Sequence, residues 1–184
     1  MIKQSSRNTE ISKFLSYHLR HHPEKLGLTM EKGGWVSIEE LLKASAQNNV
    51  PLSLSELTEV VINNDKKRFS FDETGTKIRA NQGHSINIDL QLNPRIPPDL
   101  LYHGTHPQVV NTILKEGIKK MSRHHVHLSV DILTAEKVGQ RRGKPIILQI
   151  DTKKMNEDGF IFYCSDNNIW LVDFVPPQYL TKFI

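Results

Sequence analysis

Five short segments of this 184-residue chain concentrate side chains that can grip an anion or move a proton. "SYHLRHHPE" carries Arg20 and His21, "RANQGHS" carries Arg79, Gln82, His84 and Ser85, and "GQRRGKP" sets Arg141 between two glycines. "LLYHGT", residues 100–105, and "RHHVHLS", residues 123–129, put His103 and His127 beside small hydrogen-bonding residues. A guanidinium is charged at any relevant pH and presents a planar fork to two phosphate oxygens. An imidazole titrates near ~6.5 and exchanges protons close to neutrality. Together they suit a phosphate and the hydroxyls around it.

Each segment has a plainer reading. Arg20 and His21 at a helix end complement the helix dipole. "QGHS" is a polar turn, Arg141 sits in a solvated basic loop, and Gly104-Thr105 makes the turn after a strand whose His103 is a satisfied polar group. Recurrence weighs against these readings. Three arginine-bearing segments, each beside histidine, glycine or small polar residues, form a phosphate site if the fold brings them together. Two strand edges ending in His103-Gly104 and His127-Leu128-Ser129, side by side, would make a cleft whose backbone binds an amide and whose imidazoles hold ribose hydroxyls. Period two puts His125 and His127 on one face of their strand and His124 on the other. With no cysteine or acidic cluster beside them, a metal site is the weaker reading, and none is expected.

The elements that must position these residues fall into two halves. In the first, Ile11, Phe14, Leu15 and Leu19 recur at helical spacing and Pro23 stops that helix. Ser37 with Glu40, and Ser53 with Glu56, read as capping boxes ahead of the apolar faces Ile38-Leu41-Leu42 and Leu57-Val60-Val61. "RFSF", "DETG" and "TKIRA" then read as a hairpin with Phe69, Phe71, Ile78 and Ala80 inward, which sends Arg68, Lys77 and Arg79 to the other face. Three helices and a basic hairpin are the pattern of a winged helix, serving nucleic acid or a protein partner. "NPRIPPD", residues 93–99, reads as a linker after a first lobe at 1–92. Residues 100–184 read as an α+β lobe: strands at "LLYHGT", "HVHLSV", "PIILQI", "GFIFYCS" and "NIWLVDF", and helices at "PQVVNTILKEG" and "ILTAEKVG", the latter capped by Asp131.

Composition sets the outer limits. Hydrophobic residues at 38% and charged residues at 24% describe an ordinary folded protein. The first residues show no apolar signal region and no apolar run approaches a membrane span, so a cytoplasmic protein is expected. The single cysteine, Cys164, excludes an intramolecular disulfide and reads as a buried structural thiol in "FIFYCS". A net charge of +4 permits a polyanionic partner without requiring one.

In order along nearly the whole chain, "SYHLRHHPE", "RANQGHS", "LYHGT", "RHHVHLS", "GQRRGKP" and "NNIWLVDFVPPQYL" resemble the NAD-dependent RNA 2′-phosphotransferase family, whose best-known members act on tRNA. One position departs, since Val172 stands where that pattern leads one to expect threonine. The resemblance implies an α+β protein with an N-terminal winged-helix RNA lobe and a C-terminal ADP-ribosyltransferase-like split-sheet lobe. It implies that Arg20, His21, Arg79 and Arg141 are the catalytic quartet, and that His103, Gly104, Thr105, His127, Leu128 and Ser129 line the NAD site. His103 would hold the nicotinamide-side ribose, and Gly104 would let the nicotinamide amide approach the backbone. Gln82, His84, Ser85, Arg68 and Lys77 are the further candidates for RNA or its phosphate. A monomer acting on RNA with an internal 2′-phosphate, such as a tRNA splicing product, is expected.

The implied reaction has two steps. The RNA 2′-phosphate attacks C1″ of the NAD ribose and releases nicotinamide; the ribose 2″-hydroxyl then attacks phosphorus, giving dephosphorylated RNA and ADP-ribose 1″,2″-cyclic phosphate. Many ADP-ribosyltransferases activate a poor acceptor with a glutamate, whereas the late strand "NIWLVDF" offers an apolar residue. A phosphate monoester, with a second pKa near ~6, needs no base, and a glutamate would repel it. Three other readings stand beside this one: an ADP-ribosyltransferase acting on protein or nucleic-acid ends that stops after the first step, a winged-helix regulator that senses NAD or ADP-ribose without turnover, and a metal-dependent phosphatase.

Overall fold

The structure is a computed structural model that describes residues 2–64, 66–140 and 143–183. The chain divides into two compact units, Met1–Gln91 and Leu92–Ile184, of mixed helix and antiparallel sheet.

Unit 1 holds α1 (Ile2–Arg20), β1 (Val36–Ser37), α2 (Ile38–Gln47), α3 (Leu54–Ile62), β2 (Phe69–Phe71) and β3 (Lys77–Ala80). The apolar stripe read from the sequence is the core: Ile11, Leu15 and Leu19 of α1 pack with Leu41, Leu57, Val60, Phe69 and Ile78. Ser53 caps α3 with both halves of a capping box. Ser37 caps α2 by accepting the Glu40 N–H at 3.4 Å. Asp72 closes the hairpin, its Oδ1 accepting from the N–H groups of Thr76 and Lys77 at 3.0 and 2.9 Å. The hairpin gains a third strand absent from the sequence reading: β1 pairs with β3, Val36 opposite Ile78, giving the order β1-β3-β2.

Unit 2 holds β4 (Leu100–Thr105), α4 (Pro107–Glu116), β5 (Ile118–Lys119), β6 (Val126–Leu128), α5 (Ile132–Gly139), β7 (Ile146–Asp151), α6 (Thr152–Glu157), β8 (Tyr163–Cys164), β9 (Trp170–Val172), β10 (Phe174–Val175) and β11 (Leu180–Lys182). These form the small antiparallel sheets β11-β7-β4, β6-β9-β8 and β10-β5 around a core of Leu101, Leu128, Leu148, Ile150, Met155 and Phe162. β4 pairs with β7 along all six of its residues. Reciprocal N–H to carbonyl bonds between Tyr102 and Ser129, both 2.8 Å, then bridge β4 to the end of β6.

Several expected elements differ. "NIWLVDF" is two strands, because Trp170–Val172 pair with β6 and β8 while Phe174–Val175 pair with β5 in another sheet. "GFIFYCS" shrinks to Tyr163–Cys164, and Cys164 is half-buried rather than enclosed. The strand in "HVHLSV" begins at Val126, so His125 lies off it and shares no strand face with His127. The proline-rich segment 93–99 is tied along unit 2: Arg95 N–H donates to Phe162 O at 2.8 Å, Pro98 O accepts from Thr152 Oγ1 at 2.6 Å, and Asp99 O accepts the N–H groups of Thr152 and Lys153.

Helix α5 lies with its backbone at Ala135 and Gly139 directly on Gly104 of β4. A Cβ on Gly104 would stand 1.8 Å from the Ala135 carbonyl oxygen and 3.2 Å from Gly139 N. Gly104→Ala must therefore push α5 off the strand, with an expected loss of about 3 kcal/mol, as in overpacked cores. Urea unfolding monitored at Trp170 checks this, and an unchanged midpoint would contradict so close a contact.

Candidate active site

In unit 1 the candidate side chains lie at the end of α1, on β3 and in the loop after it. Pro23 cannot continue the helix, and the N–H groups of His21 and His22 both turn back to the Tyr17 carbonyl, at 3.2 and 3.1 Å. The Ser85 N–H donates to the Arg20 carbonyl at 3.0 Å, and Ser85 Oγ lies 2.9 Å from His21 Nδ1. "QGHS" is thus fastened to the helix end by two adjacent bonds. Gly83 makes this possible with φ +88°, and a Cβ there would meet Arg20 Nη1 at 3.7 Å.

Arg79 is placed by residues that the sequence reading did not single out. Its guanidinium carbon stands 4.5 Å from the centroid of the Trp35 ring, and its Nη1 donates to the Gly33 carbonyl at 3.3 Å. Gly33 and Gly34, at φ +81° and +78°, form that turn, and the Gly33 N–H is held by Asp89 O at 2.9 Å. "EKGGWVS" carried the signal, two glycines and a tryptophan ahead of a strand, but nothing in it named Arg79 as the partner.

The remaining candidates of this unit separate. Ser85 is exposed and Gln82 half-buried. His84 is fully buried, its Nε2 3.6 Å from where a Gly34 Cβ would stand, which removes it from the surface that RNA can touch. Lys77 Nζ is 2.7 Å from Glu31 Oε2, and Arg68 Nη1 donates to Asn64 Oδ1 at 3.4 Å. Arg141 lies outside the described residues.

In unit 2, His103 sits at the β4–β6 bridge. Its Nδ1 is 3.1 Å from the His127 carbonyl oxygen. A carbonyl only accepts, so Nδ1 carries the proton. Burial, with a smaller push from Arg123, holds the pKa of His103 below its ordinary value although the His127 bond pulls the other way. The ring is neutral near pH 7, and its lone pair is on Nε2, ready to accept from a hydroxyl. Ser129 and Thr105 are buried, His127 is half-buried, and the Leu128 side chain belongs to the core, so Leu128 offers only its backbone. Gly104 has its missing side chain taken up by α5, a packing reason separate from the ligand approach expected of it.

Comparison with known proteins follows the same residues. A family model described as RNA 2′-phosphotransferase, Tpt1 / KptA family, matches residues 6–174. The chain is 60% identical over 177 residues to a probable RNA 2′-phosphotransferase of Trichormus variabilis, covering 96% of this chain and 97% of that one. It is 56% identical to a protein of the same description from Nostoc punctiforme over 96% and 98% of the two chains, and 53% identical to one from Flavobacterium johnsoniae over 92% and 93%. The proteins it matches are described as transferases of an RNA 2′-phosphate. The chain belongs to the RNA 2′-phosphotransferase family. Among the described residues no helix is long and apolar enough to cross a membrane.

The histidines set a pH limit on stability. Burial is the largest cause that lowers the pKa of His103, His18 and His125 below 6.5. Below pH 6.5 the unfolded chain therefore binds protons that the native chain refuses, and stability falls as pH drops from there toward the lowered native values. Glu56, Asp72 and Asp158 are held below their usual 4.5 or 3.8 and act only in a more acid range. Urea midpoints should decline between pH 7 and 5, and a flat profile across that window would refute the burial argument.

Proposed function

We propose that this protein removes an internal 2′-phosphate from RNA by transferring it to NAD in two steps, through an ADP-ribosylated RNA, releasing nicotinamide and ADP-ribose 1″,2″-cyclic phosphate. The family membership supports the RNA 2′-phosphate half of this reading. The tautomer of His103 supports the NAD half. An imidazole fixed with Nδ1–H on the His127 carbonyl presents an acceptor at Nε2, which suits a ribose hydroxyl, and the neighbouring strand edges at Gly104 and Ser129 offer backbone groups to an amide. In this reading unit 1 is a winged-helix lobe that takes the RNA, and unit 2 an ADP-ribosyltransferase-like lobe that takes NAD. The protein works as a cytoplasmic monomer without a metal.

The RNA phosphate is the nucleophile of the first step. It is largely dianionic at neutral pH and needs no base. Accordingly β9, the late strand where a catalytic glutamate would be sought, is the buried apolar run Trp170-Leu171-Val172. Arg20, Arg79 and Arg141 dock the phosphate and neutralise charge that gathers on its oxygens in the second step. His21 takes the proton of the attacking 2″-hydroxyl and returns one to the departing RNA 2′-oxygen.

The test is a short RNA with one internal 2′-phosphate, mixed with NAD labelled in its adenylate half. Dephosphorylated RNA, free nicotinamide and labelled cyclic phosphate are expected in equal amounts, and dephosphorylation without NAD would sink the proposal. His103→Ala should slow nicotinamide release by about 10²-fold, since a misplaced C1″ loses the benefit of orientation.

Arg141→Ala separates the steps. The second step must displace an oxygen from a crowded phosphodiester, so losing this guanidinium should leave a labelled, larger RNA that persists. Arg141→Lys should rescue only in part, because an ammonium keeps the charge without the fork. If Arg141→Ala leaves RNA and NAD untouched, Arg141 is already indispensable to docking or to the first step, and this division between the steps fails.

A further inference from the structure

We infer that Ser85 is a positioning residue for His21: its hydroxyl accepts a hydrogen bond from Nδ1–H and so holds the imidazole with its lone pair on Nε2. The sequence reading offered Ser85 as a contact for RNA or its phosphate. The geometry gives it a different task, and the inference rests on the reading of His21 as the acid–base of the second step.

Two bonds from one residue carry the argument. The Ser85 N–H donates to the Arg20 carbonyl at 3.0 Å, which ties the loop to the last turn of α1 independently of the side chain. The hydroxyl then lies 2.9 Å from His21 Nδ1. His21 itself is fixed at its N–H by the Tyr17 carbonyl at 3.2 Å, so both ends of the contact sit on anchored backbone. A serine that served only to hold the loop would need its N–H alone.

A hydroxyl is also a suitable partner for a group that must gain and then lose a proton. A hydroxyl can donate or accept; in the accepting role it takes Nδ1–H in the neutral ring and in the imidazolium alike, so Nε2 can cycle while Nδ1 keeps its proton. A carboxylate at this place would favour the imidazolium and retain the proton. In the step itself the O2″–P bond forms and the P–O2′ bond to RNA breaks. The 2″-hydroxyl proton passes to Nε2, and a proton passes from Nε2 to the leaving 2′-oxygen, so the ring ends as it began. The outer partner of a histidine sets which nitrogen takes part in such a transfer.

The experiment pairs two measurements on Ser85→Ala and Ser85→Thr. The tautomer of His21 is read from ¹⁵N resonances of histidine-labelled protein at a pH where the ring is neutral, with His21→Asn used to assign the signal. The two steps are followed with adenylate-labelled NAD and 2′-phosphorylated RNA. Ser85→Ala should move the His21 tautomer ratio away from Nδ1–H. It should slow decay of the labelled RNA adduct about tenfold, part of the ~10²–10⁴ that a positioned acid–base supplies, and leave nicotinamide release within about twofold. Ser85→Thr, which keeps the hydroxyl, should restore both readings. An unchanged tautomer ratio in Ser85→Ala overturns the inference whatever the rates do. A changed ratio with unchanged adduct decay overturns the catalytic part of it, and an equal slowing of both steps assigns Ser85 to docking instead. If the parent protein forms no adduct from NAD, the proposed reaction fails, while the tautomer measurement still decides the Ser85 contact.

Discussion

A ring face beneath a guanidinium and a carbonyl oxygen at one of its nitrogens fix where its planar fork points. Arg79 is aimed in this way, with Trp35 beneath it and the Gly33 carbonyl at Nη1. That contact depends on the rest of unit 1 in turn. Trp35 directly precedes β1, β1 is aligned by pairing with β3, and β3 carries Arg79 one residue beyond Ile78, the partner of Val36. Gly33 can turn its carbonyl to the arginine because its backbone is left-handed and its N–H is tied to Asp89. The cation and its seat are thus two ends of one strand pair.

The two histidines assigned to the reaction differ in what their Nδ1 meets. His103 faces a carbonyl, which admits one tautomer and makes the ring a fixed acceptor, suited to orienting a hydroxyl that does not change. His21 faces a hydroxyl, a weaker and adaptable partner, suited to a group that changes protonation during a step. The contrast follows from the elements. A strand edge offers backbone carbonyls at fixed spacing, and a loop wrapped over a helix end offers side chains.

Local pattern made part of this legible. The stripe of α1, the serine caps and the alternation of "RFSF" and "TKIRA" each depend on neighbours within about one helical turn or one strand, and each appears where the sequence placed it. What failed depends on distant partners. β1 is two residues long and exists only because Ile78 lies opposite Val36. "NIWLVDF" divides at Asp173 because the chain changes sheets there, which no alternation of apolar residues can announce. His125 was expected on a strand face, yet its ring lies against Tyr163 at 5.5 Å, off the strand. Residue types singled out His103, Arg20, His21 and Arg79 as candidates, but not Trp35 or Gly33, whose contacts are defined by where Arg79 ends up.

Strand β4 shows how much of a site can rest on a residue that has no side chain. Three restraints converge within two positions of His103: the Tyr102–Ser129 bridge on one side, Leu148 of β7 opposite it in register, and α5 packed on Gly104 next to it. The Ala135 carbonyl occupies the space of the missing Cβ, so the close seat of α5 and the placing of β4 are one constraint. β4 can then carry a neutral imidazole at a fixed height above the end of β6, where the His127 carbonyl reads its proton. A small residue at 104 is therefore required by packing alone, whether or not an amide also approaches there. The glycine beside the histidine holds the strand still, and the histidine can act because the strand is held.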